Sequence, residues 1–153
     1  MGIVASVPGE EALECFRYGG CYAMAYALAE TLGWNVECLS AQWSALPNFP
    51  HAWVVDSEGR AFDAFGFTTR ESIYAEFIEG SFRLRGVNAV VRFEQFDSPG
   101  SFFARLAEGY GDADSLPEYE DFFRKQVCKA NELIEAIILP RHLPALSRAQ
   151  LST

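Results

Sequence analysis

Basic charge is scarce in this chain. Twelve Lys and Arg stand against 21 Asp and Glu in 153 residues, a formal charge of −9. A protein that reads phosphates needs a basic face, so nucleic acid is not an expected partner. Long apolar runs are missing as well, with none approaching the roughly 18 residues of a membrane span, so no membrane is expected either. The opening residues, MGIVASVPGEEALECF, lack a basic region followed by an apolar core. No secretory signal is therefore expected, and the expected compartment is the cytoplasm. The four cysteines show no short pairing such as C-x-x-C, which fits free thiols better than a disulfide frame. There is no G-x-x-x-x-G-K-[ST] run for a nucleotide phosphate and no G-x-S-x-G, and neither repeats nor low-complexity segments occur. Zinc held by Cys21, Cys38, His51 and Asp63 would lack paired ligand spacing, so neither a metal nor another cofactor is expected.

What is present is globular. Half the residues are apolar and 14% are aromatic, 13 of them Phe, enough to fill a core. The length fits one domain over 1–153. Glu10 to Tyr18 reads as a short helix. Cys21 to Leu32, CYAMAYALAETL, carries one charge, Glu30, and a helix apolar on every side is one surrounded by protein. Gly33 is its expected stop. Strands are expected at Asn35–Ala41, His51–Val55, Arg60–Phe65 and Val87–Phe96. Thr68-x-x-Glu71 reads as a capping box before a helix closed by Gly80. Ser98-Pro99 opens another helix, closed by Gly109. Ser115-x-x-Glu118 opens a long one that carries Phe123, Val127, Ala130, Ile134 and Ile137 at helical spacing and ends at Pro140. That order predicts an α+β fold with a mainly antiparallel sheet. It divides into a core over about 10–96, a helical extension over about 98–139 and a tail over 140–153.

Three residues point to chemistry: Cys21, His51 and Asp63. Cys21 follows Gly19-Gly20 and starts the apolar helix, where exposed N–H groups and the macrodipole favour thiolate over thiol. Alone this is weak, because cysteine in an Ala-rich helix is usually packing. His51 opens HAWVV after Pro50, and His142, the other histidine, sits in PRHLP and is expected to be solvated. The turn Asp56-Ser57-Glu58-Gly59 suits a type I turn with a left-handed Gly59 and a bulge. In that register Asp56 faces Arg60, Trp53 faces Asp63 and His51 faces Phe65. His51, Trp53 and Asp63 then share one face, and Ala52, Val54, Phe62 and Ala64 share the other. A thiol nucleophile needs such a set: an imidazole to take its proton and a carboxylate to fix the imidazole. Cys21 is accordingly expected to be the most reactive of the four thiols near neutral pH.

The segments GGCYAMAYALAETLGW and HAWVVDSEGRAFDAFG resemble the papain-like superfamily, in particular its transglutaminase-like and bacterial or mobile-element hydrolase branches. The resemblance covers about Gly19 to Gly66. It implies a papain-like core whose Cys helix packs on the sheet, with Cys21 as nucleophile, His51 as base and acid, and Asp63 as the orienting group. It also implies acyl chemistry on amides: peptide cleavage, deamidation or transamidation of a peptide or protein substrate. Two departures stand out. The interval from Cys21 to His51 is short, and the upstream glutamine that supplies an oxyanion donor in papain-type enzymes is absent, with Cys15 in that neighbourhood. The Cys21 N–H is one donor on offer. Tyr18, Gln42 and Trp43 are candidates for a second, and Trp53 is a further oxyanion or substrate candidate. The alternative is a non-catalytic papain-like binding protein, an inhibitor or a delivered effector. It would dock a basic protein partner through acids such as Asp112, Asp114, Glu118, Glu120 and Asp121.

Overall fold

The computed structural model describes residues 10–18, 20–42, 47–79, 90–108, 116–142 and 144. It is an α+β fold. Helices α1 (Glu10–Tyr18) and α2 (Cys21–Leu32) lead into strands β1 (Asn35–Gln42), β2 (Pro47–Val55), β3 (Ala61–Asp63) and β4 (Gly66–Thr68). Then follow α3 (Arg70–Tyr74) with a π-helical turn over Ala75–Glu79, strand β5 (Val90–Phe96), α4 (Pro99–Ala107) and α5 (Leu116–Leu133), which continues as a π-helical turn over Ile134–Ile138. The described strands form one five-stranded sheet in the order β4-β3-β2-β1-β5, with every neighbouring pair antiparallel.

Strand alternation divides the core into two layers. Val36, Cys38, Ala52, Val54, Phe62 and Ala64 face the helices, where they join Ala25, Leu28 and Phe102 in one buried cluster. Leu39, Trp53, Val55 and Ala61 face the other way and are covered by Ile73, Phe77 and Ile78. The expected apolar stripe of α5 does pack: Phe123, Val127, Ala130 and Ile134 belong to the helix-side cluster, together with Ile138 from the turn beyond. Ile137 is only partly buried against it. Each large side chain fully buried there contributes about 1.5–3 kcal/mol.

Most element positions agree with the sequence reading. Helix α2 spans Cys21–Leu32, and Gly33 at φ 73° closes it by donating its N–H to the Ala29 carbonyl. Four expectations need correction. The single strand expected over Arg60–Phe65 is two strands, because Ala64 and Phe65 form a tight turn. Asp63 Oδ1 accepts the Phe65 N–H at 2.9 Å, and Gly66 adopts φ 113°, a conformation that disfavours any residue with a Cβ. Phe65 therefore does not pair with His51. The cap before α3 is Thr69, not Thr68, and its hydroxyl accepts the Ser72 N–H at 3.1 Å. Pro140 does not end the last helix, which runs on to His142. The π turn before it sends the Leu139 N–H to the Ile134 carbonyl, a widening that accommodates a proline without an N–H. Ser98 caps α4 as expected, its hydroxyl accepting the Ser101 N–H. Gly80, Gly109, Ser115 and residues 87–89 lie outside the described residues.

Candidate active site

The hairpin of β2 and β3 sets the site. Asp56 accepts the Gly59 N–H, exchanges hydrogen bonds with Arg60 and holds the turn through its carboxylate, while Gly59 takes φ 81°. This is the expected bulged turn, and the pairs Val54↔Phe62 and Val55↔Ala61 fix the expected register. His51, Trp53 and Asp63 consequently share the side opposite Ala52 and Val54, as the sequence reading requires.

His51 is 0% exposed and Asp63 is 3% exposed, and His51 Nε2 lies 3.0 Å from Asp63 Oδ2. The carboxylate accepts, so Nε2 carries the proton and Nδ1 of the neutral ring is a bare lone pair. Nδ1 is buried without a hydrogen-bond partner. The ring plane is held by Phe77, stacked at 4.3 Å and 10°, and by Trp53 at 5.7 Å and 32°. An orphaned buried nitrogen costs about 1–3 kcal/mol and calls for an explanation.

Cys21 reaches the strand from the helix side. Gly20 admits the close approach of α1, since a Cβ there would stand 2.9 Å from Phe16 Cδ1. β3 pairs with β2 only at Val54 and Val55, so Ala52 lies beyond the last pair and its N–H faces the Cys21 thiol. The N–H groups of Cys21 and Tyr22, at the start of α2, also favour the thiolate, as the helix-terminus argument expects. Burial outweighs them, and Asp63 adds to it, pushing the thiol up to about 12. The structure thus brings His51 and Asp63 into contact and seats Cys21 against the residue after His51. It makes no hydrogen bond between the Cys21 thiol and His51 Nδ1, which is left without a partner.

Cys21 and Cys38 are buried, and burial also raises the Cys38 thiol well above its usual value, while Cys15 and Cys128 are exposed. Trp53, the oxyanion or substrate candidate, is 0% exposed, and its indole N–H is donated to Glu37 Oε1 at 3.1 Å. The side chains of Tyr18 and Gln42, and all of Trp43, lie outside the described residues.

Three features escaped the sequence reading. Glu37, 1% exposed, lies opposite Trp53 across the β1–β2 pair and holds Arg70. Alternation in NVECLSA places Glu37 on the His51 face once the β1–β2 register is known, but nothing local gives that register. Phe77 comes from a distant π turn and has no motif. His142, expected in solvent, packs edge-on against Phe62 at 5.5 Å and lies over Gly66, and its Nε2 is buried without a partner. Burial and Arg141 lower its pKa, and Asp63 opposes them.

Among the described residues no three His, Cys, Asp or Glu side chains stand close enough to hold a metal ion, and no helix is long and apolar enough to cross a membrane. Comparison with protein-family models, curated proteins and solved structures finds no match to this chain.

Proposed function

We propose that this chain is a cysteine hydrolase of papain-like type acting on amide bonds of a peptide or protein. The observation that carries the reading is the buried His51, whose Nε2 is fixed by Asp63 at 3.0 Å and whose Nδ1 is left bare, with the Cys21 thiol seated at the Ala52 N–H beside it. In this scheme His51 Nδ1 takes the Cys21 proton, and the imidazolium is stabilised by Asp63. The thiolate adds to the amide carbonyl, and the N–H groups at the thiol, those of Ala52, Cys21 and Tyr22, are donors on offer for the oxyanion. The C–N bond then breaks as His51 returns the proton to the departing amine, leaving a thioester on Cys21. Water, deprotonated by His51, releases the acid and restores the thiol.

The resting site is closed, with Cys21 3% and His51 0% exposed, so turnover requires a movement that uncovers the thiol and brings the imidazole to it. A cavity of about 230 Å³ is lined by Cys15, Phe16, Gly20, Phe122 and Gln126, Gly20 being the residue that precedes Cys21.

One observation favours a second reading. The thiol is pushed up to about 12 and His51 Nδ1 makes no hydrogen bond to it, as would hold in a binding protein that keeps the scaffold without the chemistry. Such a protein would dock a basic partner through its acidic surface. Incubation with a panel of peptidyl vinyl sulfones, followed by peptide mass spectrometry, separates the two. The hydrolase reading expects an adduct on Cys21 that is lost in His51→Ala. Adducts confined to the exposed Cys15 and Cys128 would support the binding protein.

A further inference from the structure

A cavity of about 410 Å³ opens between α2, α4 and α5, and neither Cys21 nor His51 lines it. Its wall is aromatic: Tyr26 from α2, Phe103 from α4 and Phe123 from α5. Tyr26 meets Phe123 edge-on, with ring centres 5.4 Å apart at 87°, and Phe103 lies 5.0 Å from Phe123. Tyr119 braces Phe103 by stacking at 5.8 Å and 13°. Glu30, one turn beyond Tyr26 on α2, and Glu120, early in α5, add two exposed carboxylates to the lining. Burial raises the Tyr26 pKa and the Glu30 charge adds to it, so that carboxylate acts on the same space as the ring. Arg124 lines the cavity too, and one cation against two carboxylates leaves the lining negative. Among the described residues none of these three stands in an ion pair, whereas Asp121, next to Glu120, is taken by Lys125 at 3.0 Å.

We propose that this cavity is the docking site for a lysine side chain carried on a basic segment of a partner protein. Aromatic rings attract a cation through their quadrupole and cover its apolar stem, while carboxylates accept hydrogen bonds from the ammonium head. That combination selects among ligands. An anion is repelled by Glu30 and Glu120 and by the −9 of the whole chain. A wholly apolar group would desolvate two carboxylates and give them no partner. An arginine fork matches one carboxylate with two parallel hydrogen bonds, whereas these two carboxylates come from different helices and suit the three divergent donors of an ammonium. A second copy of the chain carries the same −9. A cavity of this size holds a long side chain together with part of its backbone. Exposed Glu118, in the first turn of α5, extends the negative field beyond the cavity, so basic neighbours of the docked lysine are attracted as well. This favours a protein segment over a free amine. The inference gives the basic partner of the second reading a place to dock, and it does not depend on the cysteine chemistry.

The test is an NMR titration of the intact protein with a short lysine-containing peptide blocked at both ends, and with the same peptide carrying norleucine, which keeps the stem and lacks the charge. The lysine peptide is expected to shift the amide signals of Tyr26, Phe103 and Phe123 saturably, and the norleucine peptide to bind at least about fivefold more weakly. Glu30→Gln and Glu120→Gln, both at exposed positions, should each weaken lysine binding about two- to fivefold, the worth of an exposed ion pair. Phe103→Leu should weaken it by a similar factor through the lost ring. Arg124→Gln should tighten it by about twofold, because a competing cation is gone. Equal binding of the two peptides, no saturable shift at the cavity, or affinities unmoved in both Glu variants would overturn the inference, and the Glu variants decide it if Phe103→Leu fails to fold. Cavity signals that move with protein concentration alone would overturn it in favour of a second copy. A vinyl sulfone adduct on Cys21 without lysine binding removes the docking site and keeps the hydrolase. Lysine binding with adducts confined to Cys15 and Cys128 does the reverse.

Discussion

Replacing Asp63 by Ala removes two hydrogen bonds from a place water does not reach. The acceptor for His51 Nε2 at 3.0 Å disappears, and so does the acceptor for the Phe65 N–H at 2.9 Å that shapes the β3–β4 turn. The turn bond contributes about 1 kcal/mol, and an Nε2–H left unsatisfied in the core costs about 1–3 kcal/mol more. His51 is 0% exposed and its Nδ1 already lacks a partner, so the ring would be buried with neither nitrogen bonded. The expected loss is therefore roughly 2–4 kcal/mol, or a fall in Tm of about 10 °C for a chain of this size. Asp63→Asn retains the shape and one acceptor, and is expected to lose about half as much. Urea unfolding followed by tryptophan fluorescence gives both values, provided the m-value is unchanged. An Asp63→Ala protein within about 0.5 kcal/mol of the parent, the range of an ordinary surface substitution, would refute the claim that the His51–Asp63 contact organises the end of this hairpin.

Other outcomes follow from the same geometry. Gly66→Ala places a Cβ 2.6 Å from His142 Cε1 at φ 113°, so it should destabilise by at least about 2 kcal/mol. His142→Ala in the same chain should recover the clash but not the backbone strain, as thermal melts of the three variants would reveal. Alkaline pH should weaken the fold. The Cys21 thiol is raised from 9.0 to about 12, so the folded chain keeps a proton that the unfolded chain releases. Its stabilisation is complete below about pH 9 and declines by about 1.4 kcal/mol per pH unit above that value, until the folded thiol itself ionises. Cys38 acts in the same direction, and Cys21→Ala should reduce the slope of urea midpoints measured in reductant between pH 8 and 10. Ending the chain after Gly111 would strip Phe123, Val127, Ala130 and Ile134 from the cluster they share with α2, and the shortened protein should be insoluble or unfolded by circular dichroism.

Much of this architecture is legible locally. Cys21–Leu32 is legible as a buried helix because it is apolar on every side and ends at a glycine. The β2–β3 register is legible because DSEG admits a bulged turn, and one register then separates His51, Trp53 and Asp63 from Ala52, Val54 and Phe62. The turn at Ala64–Phe65 is harder: the side chain that makes it, Asp63, also serves His51, and RAFDAF alternates well enough to pass for one strand. The partners that arrive from a distance leave no local trace. Glu37 meets Trp53 only through β1–β2 pairing, Phe77 reaches His51 from a π turn, and His142 returns from the far end of the chain to rest on Gly66. The Cys21 environment divides in the same way. Its helix-terminal N–H groups are readable from GGC, whereas the burial that overrides them depends on the whole core.

The pairing of Cys21 with His51 is tested most directly by iodoacetamide labelling of each cysteine against pH, read by peptide mass spectrometry. Exposed Cys15 and Cys128 will react first, so the informative comparison is Cys21 with Cys38, which are 3% and 0% exposed. If His51 serves Cys21, then Cys21 labels faster than Cys38 at pH 6 to 7. His51→Ala removes that advantage there while changing little at pH 9, and Asp63→Asn acts in the same direction but less. Cys21 labelling no faster than Cys38, or at a rate indifferent to His51, would contradict the hydrolase reading and leave the binding protein in its place.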